Sequence, residues 1–202
     1  MNAELFAAFL VISVVLFVTP GPIVTLVVAT GAAHGIRPAL IVVAGTTLGN
    51  AVLQTAIAGG LSWILANALP LFDVLRIVGA IYLIWLGFQA WRRAGDRATL
   101  VLEEDRVHFT RGFYVAISNP KTIAFFTAFL PQFVDPQLPA GPQLAVMVLS
   151  CVAIGAVMDS GWGMAAGWGR RWFRKTSHMA MLGRLSGAVL IGGGIWLALT
   201  KR

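Results

Sequence analysis

The sequence predicts an all-α integral membrane protein. It expects about six transmembrane helices in a 3+3 inverted repeat, with helices 1 and 4 broken near the midplane. Three observations predict this. The 202 residues are 58% hydrophobic and 11% charged, with a mean hydropathy of +0.82, whereas a soluble domain carries about 25% charged residues. Apolar runs near the length that crosses a hydrocarbon core, about 20 residues, recur along the chain. Prolines interrupt the first and fourth runs at Pro20 and Pro120. The chain reads as one membrane domain, 1–202, made of repeat one (1–92), a charged cytoplasmic linker (93–111) and repeat two (112–202).

The first span is placed at 5–33. A secretory signal begins with a basic flank and has a shorter apolar region. Here the flank is Met1-Asn2-Ala3-Glu4, so the run is expected to stay as a membrane helix. Its middle reads Thr19-Pro20-Gly21-Pro22. In an unbroken helix residue 20 would donate to the carbonyl of Leu16 and residue 22 to that of Val18. Proline has no N–H, so both carbonyls lose their partners. Gly21 precedes a proline and is pushed out of the helical region. Pro22 can start a second half-helix with Gly21 as its cap, leaving the amides of Ile23, Val24 and Thr25 free.

The second span is placed at 39–66. Gly45 and Gly49 form a Gly-x-x-x-Gly pattern, which lets helices approach closely. Asn50 and Gln54 are four apart and share one face. They are candidates for contact with a solute, and hydrogen bonding between spans is an equal alternative. The third span is placed at 71–91. The linker after it gathers Arg92, Arg93, Asp96, Arg97 and Glu103–Glu104–Asp105.

The fourth span, 113–134, repeats the chemistry of the first break. Asn119 is a strong N-cap type, Pro120 suits the first helical position, and the amides of Lys121, Thr122 and Ile123 follow. Lys121 lies about 12 Å inside the start of the span at 1.5 Å per residue. A lysine at that depth costs roughly 2.5–3.5 kcal/mol and faces an interior or a cavity; the alternative is a side chain that reaches back to the interface. Two half-helix starts at mid-membrane suit an anion such as a carboxylate.

The fifth span, 144–168, holds Asp159 deep in an apolar run, where it can pair with Lys121 or carry a proton. The last span, 185–199, is short; a start near Met179 gives it sufficient length. A five-span chain would lack it. Gly192-Gly193-Gly194 within it is expected to serve packing. Trp63, Trp91, Trp168 and Trp172 sit near span ends, as interfacial tryptophans do. His34, His108 and His178 fall in or beside basic loops and are expected to be solvated.

Two features support two halves. Arg76-Ile-Val-Gly79-Ala80 recurs as Arg184-Leu-Ser-Gly187-Ala188, and both halves carry a broken first span. Three spans per half invert the second half relative to the first. Short loops rich in Lys and Arg stay cytoplasmic. That places Arg37, the linker and the Arg170–Arg171–Arg174–Lys175 group inside, and both termini outside. The terminal Lys201-Arg202 pair argues mildly against it.

Several function classes fall away. The few charges form no basic face for nucleic acid. Cys151 is the only cysteine, so neither a disulfide framework nor a dithiol pair is available. His-Glu-x-x-His and the phosphate-binding glycine loop are missing, and Asp159 has no second acid with which to share a site. No catalytic constellation, cofactor or metal site is expected.

Thr19-Pro20-Gly21-Pro22, the glycine-rich second span, and Asn119-Pro120-Lys121-Thr122 followed by Phe129-Leu130-Pro131-Gln132-Phe133 resemble the LysE/RhtB family of amino-acid exporters. The resemblance covers essentially the whole chain. It implies a bacterial inner-membrane protein that exports amino acids or closely related solutes by proton antiport. By motif, Pro20, Gly21, Pro22, Asn119, Pro120 and Lys121 match the family; Asp159 is assigned on physical grounds. Export of another small solute or ion, or an accessory membrane subunit, are the alternatives. The expected partners are a small-molecule substrate and the lipid bilayer, with a homodimer left open and nucleic acid not expected.

Overall fold

In a computed structural model, residues 1–67, 69–92, 105–173 and 176–199 are described. They form helices α1 (Ala3–Val18), α2 (Pro22–His34), α3 (Ile36–Asn67), α4 (Leu69–Arg92), α5 (Asp105–Ile117), α6 (Pro120–Phe129), α7 (Ala140–Trp168), α8 (Arg170–Phe173) and α9 (Thr176–Leu199), with a 3-10 turn at Leu130–Phe133 after α6. No strand occurs among the described residues. Most of the predicted linker, 93–104, and Lys201-Arg202 lie outside them.

Both expected breaks are present. Asn2 caps α1, its Oδ1 accepting from the amides of Glu4 (2.9 Å) and Leu5 (3.3 Å). The helix ends at Val18, and α2 begins at Pro22 with Gly21 as its N-cap. The two axes differ by 47°. α6 begins at Pro120 with Asn119 as N-cap. Two boundaries differ from the sequence reading. α5 starts at Asp105 and α9 at Thr176, both earlier than expected, because polar residues at a span end continue a helix where hydropathy no longer signals one.

α3, α4, α7 and α9 are long and apolar enough to cross a membrane, and the bent α1–α2 pair makes a fifth span. The α5–α6 pair is less apolar, since α5 carries Asp105, Arg106, His108 and Arg111. Helix directions nevertheless require it to cross. Gly163 meets Ala39 and Gly167 meets Ile36, so α3 and α7 run antiparallel. Gly87 meets Gly187 and Gly194 meets Ala80, so α4 and α9 also run antiparallel. If the segment between α4 and α7 returned to the side it left, both pairs would run parallel. The α5–α6 pair therefore carries the chain across as the sixth span.

The remaining contacts agree. Ser13 meets Cys151 and Phe17 meets Gly155, so α1 runs parallel to α7. Gly45 meets Phe109 and Gly49 meets Phe113, so α5 runs parallel to α3. Each expected pair of equivalent spans is thus antiparallel, which is consistent with an inverted repeat.

Glycines set these approaches. A Cβ at Gly49 would lie 2.6 Å from the Phe113 carbonyl oxygen, and one at Gly87 would lie 2.7 Å from that of Gly187. Gly194 packs in the same way, but Gly192 and Gly193 do not; open space lies beside Gly192. The core is built from Phe9, Phe126, Leu130, Met147 and Leu197. Large apolar side chains such as Trp85, Leu149 and Val157 face outward, as lipid-facing positions do. One expectation is corrected: His108 is buried, its ring 5.4 Å from that of the exposed His34. Packing of α5 against α3 covers it.

Candidate functional site

The two broken spans meet at one small buried cavity of about 20 Å³. From the first break it is lined by Leu16, Thr19, Gly21 and Val24. The second break contributes Asn119, Lys121 and Thr122, and α7 contributes Asp159. The volume holds about one water and is far too small for an amino acid.

Asn119 organises the second break. Its Oδ1 accepts from the Lys121 amide at 3.1 Å, and its Nδ2 donates to Thr122 Oγ1 at 2.9 Å. The side chain thus satisfies one of the free donors at the start of α6. The Asn119 carbonyl accepts from Ile123.

Lys121 is buried, at 7% exposure, and does not reach an interface. Its ammonium donates to the carbonyl of Leu16 at 2.7 Å and to that of Thr19 at 2.6 Å. The Leu16 carbonyl is one that Pro20 strips of its helical donor. Lys121 thus caps the end of α1, where a cation also favours the negative end of the helix dipole. Thr19 folds its hydroxyl back onto Val15, which also accepts from the Thr19 amide. The close fit continues at Gly21, where a Cβ would lie 3.1 Å from the Lys121 side chain.

Asp159 is buried at 2% exposure. It interacts electrostatically with Lys121, and its carboxyl is within hydrogen-bonding reach of Thr46. Lys121 and Asp159 therefore place an amine and a carboxyl on one small space.

The other candidates fall around this cavity. Pro20 is buried and Pro22 is exposed. Neither they nor Pro120 line it; they shape the backbone that does. Asn50 and Gln54 are buried on α3 and do not line it either. Asn50 Oδ1 and both polar atoms of Gln54 lack hydrogen-bond partners among the described residues. They continue the face of Thr46 at intervals of four residues. Thr46 itself escaped the sequence reading: a lone threonine in an apolar run is unremarked until Asp159 is seen beside it.

Broken helices that meet at a buried polar cavity, within an all-helical apolar bundle, are the architecture of secondary transporters. The chain belongs to the family of LysE type translocators, whose family model it matches over residues 14–201. It is 32% identical over 201 residues to a homoserine/homoserine lactone efflux protein of Salmonella typhimurium, covering 98% of each chain. An uncharacterized membrane protein of Vibrio cholerae is 30% identical over 204 residues, covering 100% of each. A leucine efflux protein of Klebsiella pneumoniae is 28% identical over 199 residues, covering 96% of this chain and 94% of that one. No solved structure matches the chain.

Proposed function

We propose that this protein is a secondary transporter that exports amino acids or closely related small solutes across the bacterial inner membrane in exchange for protons. One observation carries the reading. The starts of α2 and α6, Lys121 and Asp159 all converge on one buried cavity. Helix starts and an ammonium favour a carboxylate, and a buried acid favours an amino group or a proton. The efflux functions printed for the Salmonella and Klebsiella relatives support the same reading.

In this mechanism the substrate carboxylate competes with the Leu16 and Thr19 carbonyls for Lys121. Winning that competition uncaps α1, and the half-helix is free to tilt about the 19–21 break. Asp159 meets the amino group, or takes up the coupling proton when the substrate has left. Rocking of one repeat against the other then exposes the cavity to alternate sides.

The test is flux of labelled amino acids in proteoliposomes under an imposed pH gradient. Gradient-driven movement of at least one amino acid is expected. Flux of none of them under any gradient overturns the reading.

A further inference from the structure

A second cavity of about 330 Å³ lies beside the first, between α1, α4, α6 and α9, and opens to the outer face where Val15, Gly192 and Trp196 are exposed. Its walls are apolar and aromatic, including Ile12, Leu83, Phe125, Phe129, Leu190 and Trp196. Its volume falls within the range of about 300–1,000 Å³ found for small-molecule sites. Leu16 lines both cavities.

One helix, α6, borders both spaces. Lys121, Phe125 and Phe129 recur every four residues, so they share one helix face. Lys121 faces the polar cavity, and the two phenylalanines face the apolar one. One turn, about 5.4 Å, separates the ammonium-bearing position from the first ring. Phe125 stacks on Phe129 with centroids 4.9 Å apart, and Phe129 stacks on Trp196 at 5.6 Å. A charged head group held at Lys121 would thus have an apolar, aromatic-walled space one helical turn away.

We infer that the apolar cavity receives the side chain of the transported solute, and that the preferred substrates are α-amino acids with bulky apolar side chains. This rests on the transport reading above and narrows its substrate class. The occupant follows from the shared wall: Leu16 lines both cavities, and α6 borders each. A carboxylate that draws Lys121 away from Leu16 frees the residue that forms their common wall. A lysine or arginine side chain is disfavoured, because an unpaired charge among such walls is costly.

Two glycines provide the test. Gly192 and Gly193 line the apolar cavity. A Cβ at Gly192 meets nothing within 4 Å, and one at Gly193 first meets the Phe129 ring at 3.6 Å. Gly192→Leu and Gly193→Leu therefore fill the space without striking backbone. Uptake of labelled leucine, phenylalanine, alanine and lysine is measured in proteoliposomes under one pH gradient. The wild-type protein is expected to favour leucine and phenylalanine. Each filled variant is expected to lose about tenfold or more in kcat/KM for these two, in the range that side-chain fit commands, and markedly less for alanine.

Uniform flux changes across all four substrates, or no change in either variant, overturn the inference. Wild-type flux that favours lysine overturns it as well. These outcomes leave gradient-driven transport standing. Loss of all amino-acid flux in the wild-type protein instead removes the transport reading, and this inference with it.

Discussion

The Lys121 ammonium lies 2.7 Å from the carbonyl oxygen of Leu16, a group that Pro20 deprives of its helical partner. A defect at residue 20 is thereby mended by a side chain from the other half of the chain. The same lysine faces the cavity proposed for the substrate. Occupancy of that cavity and integrity of the first break are thus tied to one charged group.

Lys121→Met is expected to abolish transport while the protein still inserts. It is also expected to lower stability. Removing the ammonium leaves two buried carbonyls without this donor, and an unsatisfied buried group costs about 1–3 kcal/mol. Flux and thermal unfolding of the purified variant check both parts. Normal flux in well-expressed protein would remove Lys121 from the transport mechanism.

Asn119→Ala is expected to destabilise by about 1 kcal/mol, as N-cap losses do. It should also weaken substrate binding, since Asn119 holds the Lys121 amide at 3.1 Å and orients Thr122. Asn119→Asp is the informative comparison. It keeps an N-cap acceptor but adds a negative charge where a carboxylate is proposed to bind. Recovered stability with transport still lost separates capping from recognition; transport equal to wild type would argue against an anion site here.

Gly49→Val is expected to lower yield and melting temperature. Its added carbon would fall 2.6 Å from the Phe113 carbonyl oxygen, and a backbone atom cannot step aside as a flexible side chain can. Overpacking commonly costs about 1–3 kcal/mol. The contrast is Gly59→Ala, whose Cβ meets nothing within 4 Å and should leave yield and melting temperature near wild type. Comparable yields from the two variants would contradict the close approach of α3 and α5.

The breaks were legible in the sequence because proline and its neighbours act locally. Pro20, Gly21 and Asn119 determine where a helix ends and the next begins, whatever packs around them. The partner of Lys121 was not legible. Its two acceptors lie 105 and 102 positions away in the chain, and only packing of the halves brings them near. Gly192 and Gly193 show the same limit: a glycine run marks close packing or open space equally well, and the neighbouring helix decides. The burial of His108 also depended on α5 packing against α3, which loop composition did not signal.

Topology provides a separate check. The alternating helix directions fit six crossings, and the Lys/Arg bias of the loops predicts a cytoplasmic linker. Reporter fusions at residue 202 and near Arg97 are expected to read periplasmic and cytoplasmic, respectively. A cytoplasmic C-terminus would contradict the orientation or the crossing by α5–α6.

Asp159→Asn is expected to break the link between the pH gradient and flux while the fold survives. Asp159 is buried, lines the cavity, and interacts with Lys121 and Thr46. Asparagine keeps the shape and hydrogen-bonding capacity but holds no exchangeable charge. If Asp159 carries the coupling proton, the variant should exchange labelled substrate across the membrane at zero gradient yet fail to accumulate it under one. If Asp159 only balances Lys121, its loss leaves an uncompensated buried charge, and the single variant should be markedly less stable. The double change Lys121→Met with Asp159→Asn should then recover stability without recovering flux, since neither charge is left alone. Gradient-driven accumulation of Asp159→Asn at the wild-type level would place the coupling proton elsewhere in the chain.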